Sequence, residues 1–171
     1  MKRPIAVLAA VIILTSLVGC AEEPLGAGRL SESKGPAQLL RVEAVSRVPG
    51  YQVDSFGEPE ERSQSCDKSD PVGKLRSWRS SMEVFMIDNA SVRPEAIVGD
   101  LIESFEAQEW QAEEGDTELV TELTKDMLAT SITITRTPMD TGGTITIAVD
   151  GPCVETAGSE DPDVKRLDGR P

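Results

Sequence analysis

Carboxylates are the side chains in this chain best suited to chemistry, and they are concentrated between residues 100 and 122. This stretch contains nine acidic residues and no lysine or arginine. The acidic positions are Asp100, Glu103, Glu106, Glu109, Glu113, Glu114, Asp116, Glu118 and Glu122. Carboxylates at this density attract a basic partner or bind calcium, which takes about six to eight oxygen ligands.

The densest part of the stretch supplies a candidate binding patch made of Glu109, Glu113, Glu114 and Asp116. Residues 113–116 come nearest to a calcium loop, but no D-x-D-x-D-G pattern is present. Negative charge near the carboxyl end of a helix opposes the helix dipole, so local helix stability does not explain the cluster. We expect the patch to bind a basic partner or a cation, and a solvated acidic surface is the alternative.

Catalytic motifs occur only as fragments. Asp140-Thr141-Gly142 matches the D-T-G of aspartic proteases, but that chemistry needs two carboxylates, and Asp and Gly also suit a turn. Ser31 and Lys34 match S-x-x-K, yet no K-T-G follows. The chain has no histidine to act as a base or metal ligand. We therefore predict a protein that is not an enzyme and has no cofactor and no metal centre.

The first twenty residues have the pattern of an export signal. Two basic residues precede an apolar run over residues 4–17, which is shorter than the roughly 20 residues of a membrane span. Leu17-Val18-Gly19-Cys20 resembles the lipobox of bacterial lipoproteins. The resemblance implies that Cys20 becomes the first mature residue and is acylated with fatty acids such as palmitate. The lipid would hold the protein on the outer, extracytoplasmic face of the cell membrane.

Two further cysteines, Cys66 and Cys153, lie beyond the export signal. Because an exported chain meets an oxidising compartment, we predict that this pair forms a disulfide. The two cysteines are 87 positions apart. In the chain-entropy model, closing a loop of that length stabilises the fold by about 4 kcal/mol. A zinc site is disfavoured because the chain lacks histidine and any Cys-x-x-Cys.

The apolar periodicity predicts the order of the elements. Helical spacing occurs over 36–48 and 92–108, and strand alternation over 78–87. Residues 117–128 fit a helix or a strand, and their threonines favour a strand near 118–124. A hairpin of two alternating strands follows between residues 131 and 149. This order predicts an α+β fold of two layers, with helices on one face of a mainly antiparallel sheet.

Composition divides the chain into four parts. We predict a signal peptide over 1–19, a flexible tether over 20–35 rich in Gly, Ser, Glu and Pro, and a single α+β extracytoplasmic domain over 36–155. The charged segment 156–171 is predicted to be a disordered tail. Inside the domain, the polar residues 57–75 are predicted to form a loop held by the disulfide.

Residues 36–155 contain, in this order, one helix, a tryptophan just after it, a late hairpin and a terminal Gly151-Pro152-Cys153. This order resembles small, uncharacterised lipoproteins of actinobacteria. The resemblance implies the fold and the compartment, and it implies no activity.

These observations lead to an expected function. We expect a lipid-anchored, non-enzymatic protein that binds a protein partner or ligand at the cell envelope. The net charge of −13 opposes binding to nucleic acid and to anionic lipid headgroups. One alternative is a carrier of a hydrophobic small molecule or lipid, whose cavity would be lined by Met82, Met86, Phe105 and Trp110. The other is a hydrolase that uses pairs of carboxylates from the acidic stretch.

Overall fold

A computed structural model describes residues 29–89, 91–125 and 127–167 of the chain. The predicted signal peptide and Cys20 lie outside the described residues. The helices are α1 (Leu30–Ser46), α2 (Pro94–Glu106) and α3 (Pro162–Leu167). The strands are β1 (Val53–Phe56), β2 (Glu60–Ser65), β3 (Leu75–Met86), β4 (Gln111–Glu114), β5 (Val120–Lys125), β6 (Leu128–Pro138), β7 (Gly143–Asp150) and β8 (Val154–Glu155).

The eight strands of the described residues form one sheet in which every pairing is antiparallel. Its main path runs β1-β3-β7-β6-β5-β4, and β2 and β8 also pair with β3. β3 is the longest strand, so β2 pairs with its first half and β1 with its second half. A mainly antiparallel sheet with helices is what the predicted α+β class requires.

The predicted hairpin is confirmed as β6 and β7, and its apolar residues are part of the core. Ile132 lies opposite Val149, and Ile134 lies opposite Ile147. All four side chains are fully buried. Alternate residues of an antiparallel strand point to opposite faces, and Thr133, between the two isoleucines of β6, is accordingly half-buried.

The predicted helix over 92–108 is confirmed as α2. Its apolar stripe of Ile97, Val98, Leu101 and Phe105 is buried. α2 contacts β4, β6 and β7. None of the described helices is long and apolar enough to cross a bilayer.

The prediction of a flexible tether over 20–35 is wrong from Leu30 onward, because α1 begins there. Leu30 and Ser33 are buried, and the Ser33 hydroxyl accepts a hydrogen bond from the Trp78 backbone N–H over 2.7 Å. Gly35 and Pro36 lower the helix propensity of this segment, but its contacts with the sheet override that preference. The domain therefore starts before the predicted residue 36.

Two other segments are more ordered than predicted. The prediction of a disordered tail over 156–171 is wrong at Pro162–Leu167, because α3 forms there and buries Val164. The Thr156 N–H also donates to the Lys74 carbonyl over 2.8 Å. The polar segment Glu60–Ser65, predicted as part of a loop, is strand β2. Its backbone hydrogen bonds to β3 compensate for the lack of an apolar pattern.

Candidate functional site

The four residues of the predicted acidic patch lie close to one edge of the sheet. Glu109 follows α2 in the left-handed backbone region, with φ of 67°. Glu113 and Glu114 are on β4, and Asp116 is in the turn that leads to β5. All four residues are exposed. The pairing of β4 with β5 also places Glu113 directly opposite Glu122. We call these five residues the acidic edge.

The acidic edge has a structural explanation as well as a chemical one. β4 is the last strand of the sheet path, so one side of its backbone has no strand partner within the described residues. Charged side chains on such an edge oppose pairing with another chain. Like charges directly opposite each other cost stability, however, so the pairing of Glu113 with Glu122 is not explained by stability alone.

The acidic edge has little cationic compensation and no metal geometry. Lys125 Nζ is 4.0 Å from a carboxylate oxygen of Glu109, whose side chain is 91% exposed, and it donates to the Gln108 carbonyl over 2.7 Å. Within the ranges that the structure describes, no group of three or more Asp, Glu, Cys or His side chains could hold a metal ion. The carboxylates of the acidic edge thus remain exposed, with Lys125 as the cation recorded beside Glu109.

The predicted disulfide is confirmed. Cys66 follows β2, Cys153 precedes β8, and their sulfur atoms are bonded. The Cys66 N–H donates to the Leu75 carbonyl over 2.9 Å. The bond therefore ties the β2–β3 connection to the segment that leads to the C-terminal helix.

A groove of about 380 Å³ lies beside the disulfide. Asp150, the last residue of β7, lines this groove, and no sequence motif indicated it. One carboxylate oxygen accepts from Gln64 Nε2 over 2.7 Å, and the other accepts from Arg79 Nη1 over 2.8 Å. Lys68 in the β2–β3 connection and Leu128 at the first position of β6 also line this groove.

Asp150 is the carboxyl group with the clearest perturbation near a cavity. Burial raises the pKa of Asp150, and Arg79 is the main neighbour that opposes this by favouring the charged form. A raised pKa in a groove marks a candidate functional carboxyl, although ion-pair networks produce the same effect. Both oxygens already accept hydrogen bonds within the fold, so the arrangement fits a positioned acceptor better than a free general base.

A second cleft, of about 580 Å³, lies where β1, β3 and the β6–β7 turn meet. Asp54, Asp88 and Asp140 line it, and the Thr141 hydroxyl donates to a carboxylate oxygen of Asp88. The D-T-G sequence thus lies in the turn between two strands, as predicted. Gly142 has φ of 67°, a conformation that L side chains rarely adopt.

No protein-family model matches the chain, and no match was found among curated proteins or solved structures. The acidic edge, the groove and the cleft are therefore the candidate sites. Of these, the acidic edge combines exposure with charge that the described contacts leave largely uncompensated.

Proposed function

We propose that this protein is a lipid-anchored, non-enzymatic protein that binds a basic protein partner at the outer face of the cell membrane. The lipobox resemblance of residues 17–20 supports anchoring through Cys20. The Cys66–Cys153 disulfide supports an oxidising compartment, because disulfides form and persist outside the reducing cytosol.

The observation that carries the binding function is the pairing of Glu113 with Glu122 on an exposed edge. Opposed carboxylates repel each other in the free protein. Lysine or arginine side chains of a partner would relieve this repulsion and add charge-assisted hydrogen bonds. Electrostatic complementarity of this kind mainly increases the association rate and selects the partner.

The two-layer arrangement is part of the same proposal, with α1 and α2 covering one face of the sheet. It is supported by the contacts of α1 with β3 and β7 and of α2 with β6 and β7. The opposite face would carry the alternate residues of the strands, among them Glu83, Thr133 and Thr146.

The two alternative functions have less support. A carrier of a hydrophobic molecule needs space near Phe105 and Trp110, but their rings pack edge to face with centroids 5.5 Å apart. A carboxylate-dependent hydrolase needs its two carboxyl groups in a cleft. Glu113 and Glu122 are exposed, and neither lines the groove beside the disulfide or the cleft at the β6–β7 turn.

Crosslinking in native membranes tests the binding function. The full chain is compared with a variant in which Glu109→Gln, Glu113→Gln, Glu114→Gln and Asp116→Asn are combined. The matched control removes the same number of exposed carboxylates elsewhere: Glu32→Gln, Glu58→Gln, Glu60→Gln and Glu95→Gln.

We expect one reproducible crosslinked protein with the wild-type chain and with the control, and its loss from the acidic-edge variant. Higher ionic strength should weaken the crosslink, because exposed charges are screened over about 10 Å at 0.1 M salt. Equal crosslinking by the acidic-edge variant would show that this edge does not bind the partner. A wild-type chain without any partner would contradict the proposed function itself.

A further inference from the structure

The lysines of this acidic protein are concentrated at one end of the domain. Every lysine within the described ranges lies near the start of α1, in the β2–β3 connection, at the last position of β5 beside the β5–β6 connection, or on α3. These are Lys34, Lys68, Lys74, Lys125 and Lys165. We call this end of the molecule, with those two connections and the first turn of α1, the anchor end.

The strand register and the contacts place these segments next to one another in the fold. β2 ends and β3 begins at the paired residues Ser65 and Arg76, and β5 joins β6 through the pair Lys125 and Leu128. The groove beside the disulfide brings Lys68 and Leu128 to one cavity. The backbone of Gly151, which also lines this groove, packs against Ser33 in the first turns of α1.

Large apolar side chains are exposed at the tips of the anchor end. Met127 is 91% exposed in the β5–β6 connection, and Leu128 next to it is 48% exposed. Val72 is 66% exposed in the β2–β3 connection, and Leu75 at the start of β3 is 48% exposed. Four such residues, in two neighbouring connections and at the first positions of β3 and β6, are more than the scattered exposure expected of a solvated surface.

The opposite end of the sheet provides an internal comparison. It also exposes apolar side chains, including Tyr51, Phe56 and Met139. Its charged groups include Asp54, Asp88 and Asp140 together with Arg93 and Glu95, and no lysine of the described ranges lies there. Lipid phosphates would attract the lysines of the anchor end, but carboxylates lie at both ends, so the charge contrast between the two ends is small.

The short connection between Cys20 and α1 would hold the anchor end near a membrane. Cys20 and Arg29 are nine positions apart, so a fully extended connection reaches at most about 30 Å. α1 begins at Leu30, directly after this connection. A lipid on Cys20 would therefore keep the start of α1, and the loops beside it, within reach of the bilayer surface. This step rests on the lipid anchoring in the proposed function.

We propose that the anchor end docks on the phospholipid surface, with Val72, Met127 and Leu128 entering the interfacial layer and Lys68 and Lys74 contacting lipid phosphates. Asp67 and Asp70 lie in the same connection, so the apolar tips contribute more than net charge does. The lipid chain and the loops would then form a two-part attachment that fixes the orientation of the domain, as expected when one signal alone is marginal.

Depth-dependent fluorescence quenching tests this docking. The full acylated chain is reconstituted in phosphatidylcholine liposomes that carry brominated acyl chains, with Val72→Trp, Met127→Trp or Met139→Trp. The replaced residues are 62–91% exposed, so the fold should tolerate each change, and circular dichroism checks this. Trp78 and Trp110 are buried and supply a constant background.

We expect the added emission at 72 and 127 to fall by about half, because interfacial side chains lie about 5–10 Å into the headgroup–acyl boundary. The added emission at 139 should not change. If the protein floats with liposomes but the emission at 72 and 127 is not quenched, the docking is overturned and the lipid anchor stands. Quenching at 139 alone would also overturn the proposal, because the opposite end of the sheet would then face the bilayer. Failure of the acylated chain to float with liposomes would instead overturn the anchoring on which the docking rests.

Discussion

Arg41 donates a hydrogen bond from Nε to the Ser80 hydroxyl over 2.8 Å, and this buried contact joins α1 to β3. Ser80 in turn donates to Glu61 Oε1 over 3.0 Å. The second oxygen of Glu61 accepts from Trp78 Nε1 over 2.7 Å and from Gln38 Nε2 over 2.8 Å. Glu61 therefore organises a polar network that fixes α1 against the sheet.

Removing the carboxylate of Glu61 should destabilise the fold. Arg41 is only 7% exposed, and its Nη2 lies 3.8 Å from Glu61, so Glu61→Ala leaves a buried cation without its carboxylate. We expect the free energy of unfolding to fall by about 2 kcal/mol or more. Urea unfolding followed by circular dichroism measures this loss.

The matched control is Glu43→Ala, which removes the partner of Arg47 at the end of α1. That pair is largely solvated on the Glu43 side, so the loss should be below about 1 kcal/mol. Equal losses in the two variants would contradict the organising role of the Glu61 network.

Gly142 in the β6–β7 turn should not tolerate a side chain. Its φ of 67° disfavours L residues, and a Cβ there would lie 2.8 Å from the Ile87 carbonyl oxygen. We expect Gly142→Ala to cost at least about 1 kcal/mol. Gly99→Ala in α2 is the control, because its Cβ would contact nothing within 4 Å and should add about 0.5–1 kcal/mol of helix stability. Thermal unfolding should therefore shift in opposite directions, and a shift in the same direction would refute the account.

The disulfide should contribute a large share of the stability. Cys66 and Cys153 are separated by 87 positions, and the chain-entropy model assigns such a loop about 4 kcal/mol. The combined variant Cys66→Ser and Cys153→Ser should lose about that amount in urea unfolding. Addition of a reductant should lower the stability of the wild-type chain and leave the variant unchanged. A variant as stable as the oxidised wild type would show that the disulfide does not stabilise the fold.

Asp150 should make stability depend on pH in a defined direction. Burial raises the pKa of Asp150 in the folded state, so between the ordinary value of 3.8 and the raised value the folded state holds more protons than the unfolded state. Stability from this group therefore falls as pH rises through that interval. Urea unfolding of the wild type and of Asp150→Asn should show a stability difference that shifts against the wild type as pH increases above about 4. A difference that shifts in favour of the wild type would contradict the raised pKa.

The hairpin and α2 could be predicted because their own residues specify them. Ile132 and Ile134 alternate with polar residues on β6, and the apolar stripe of α2 has helical spacing. The disulfide followed from the count of cysteines in an exported chain. In each of these cases a local pattern and the tertiary environment favour the same structure.

α1 and β2 could be predicted only in part or not at all, because tertiary contacts determine them. Leu39 and Val42 suggested an apolar face for the first helix, but they are 75% and 57% exposed. The buried face of α1 contains Ser33 and Arg41, which the polar network stabilises. β2 has the sequence EERSQS and forms because the edge of β3 supplies its hydrogen-bond partners.

The candidate sites, too, could be predicted only in part from the sequence. The density of carboxylates indicated the acidic edge, but sequence spacing did not indicate that Glu113 lies opposite Glu122. The importance of Asp150 depends on Gln64 and Arg79, which are distant in sequence and meet it only through the order of strands. The one signal in the sequence was an aspartate that ends an alternating apolar strand just before Gly151.

The central claim is lipid anchoring through Cys20, and mass spectrometry of the intact protein from native membranes tests it most directly. We expect a mature chain that begins at Cys20 and carries the added mass of its acyl chains. A Cys20→Ser variant analysed in parallel should lack that mass and leave the membrane fraction. A chain that retains residues 1–19, or one that begins elsewhere without lipid, would contradict the account.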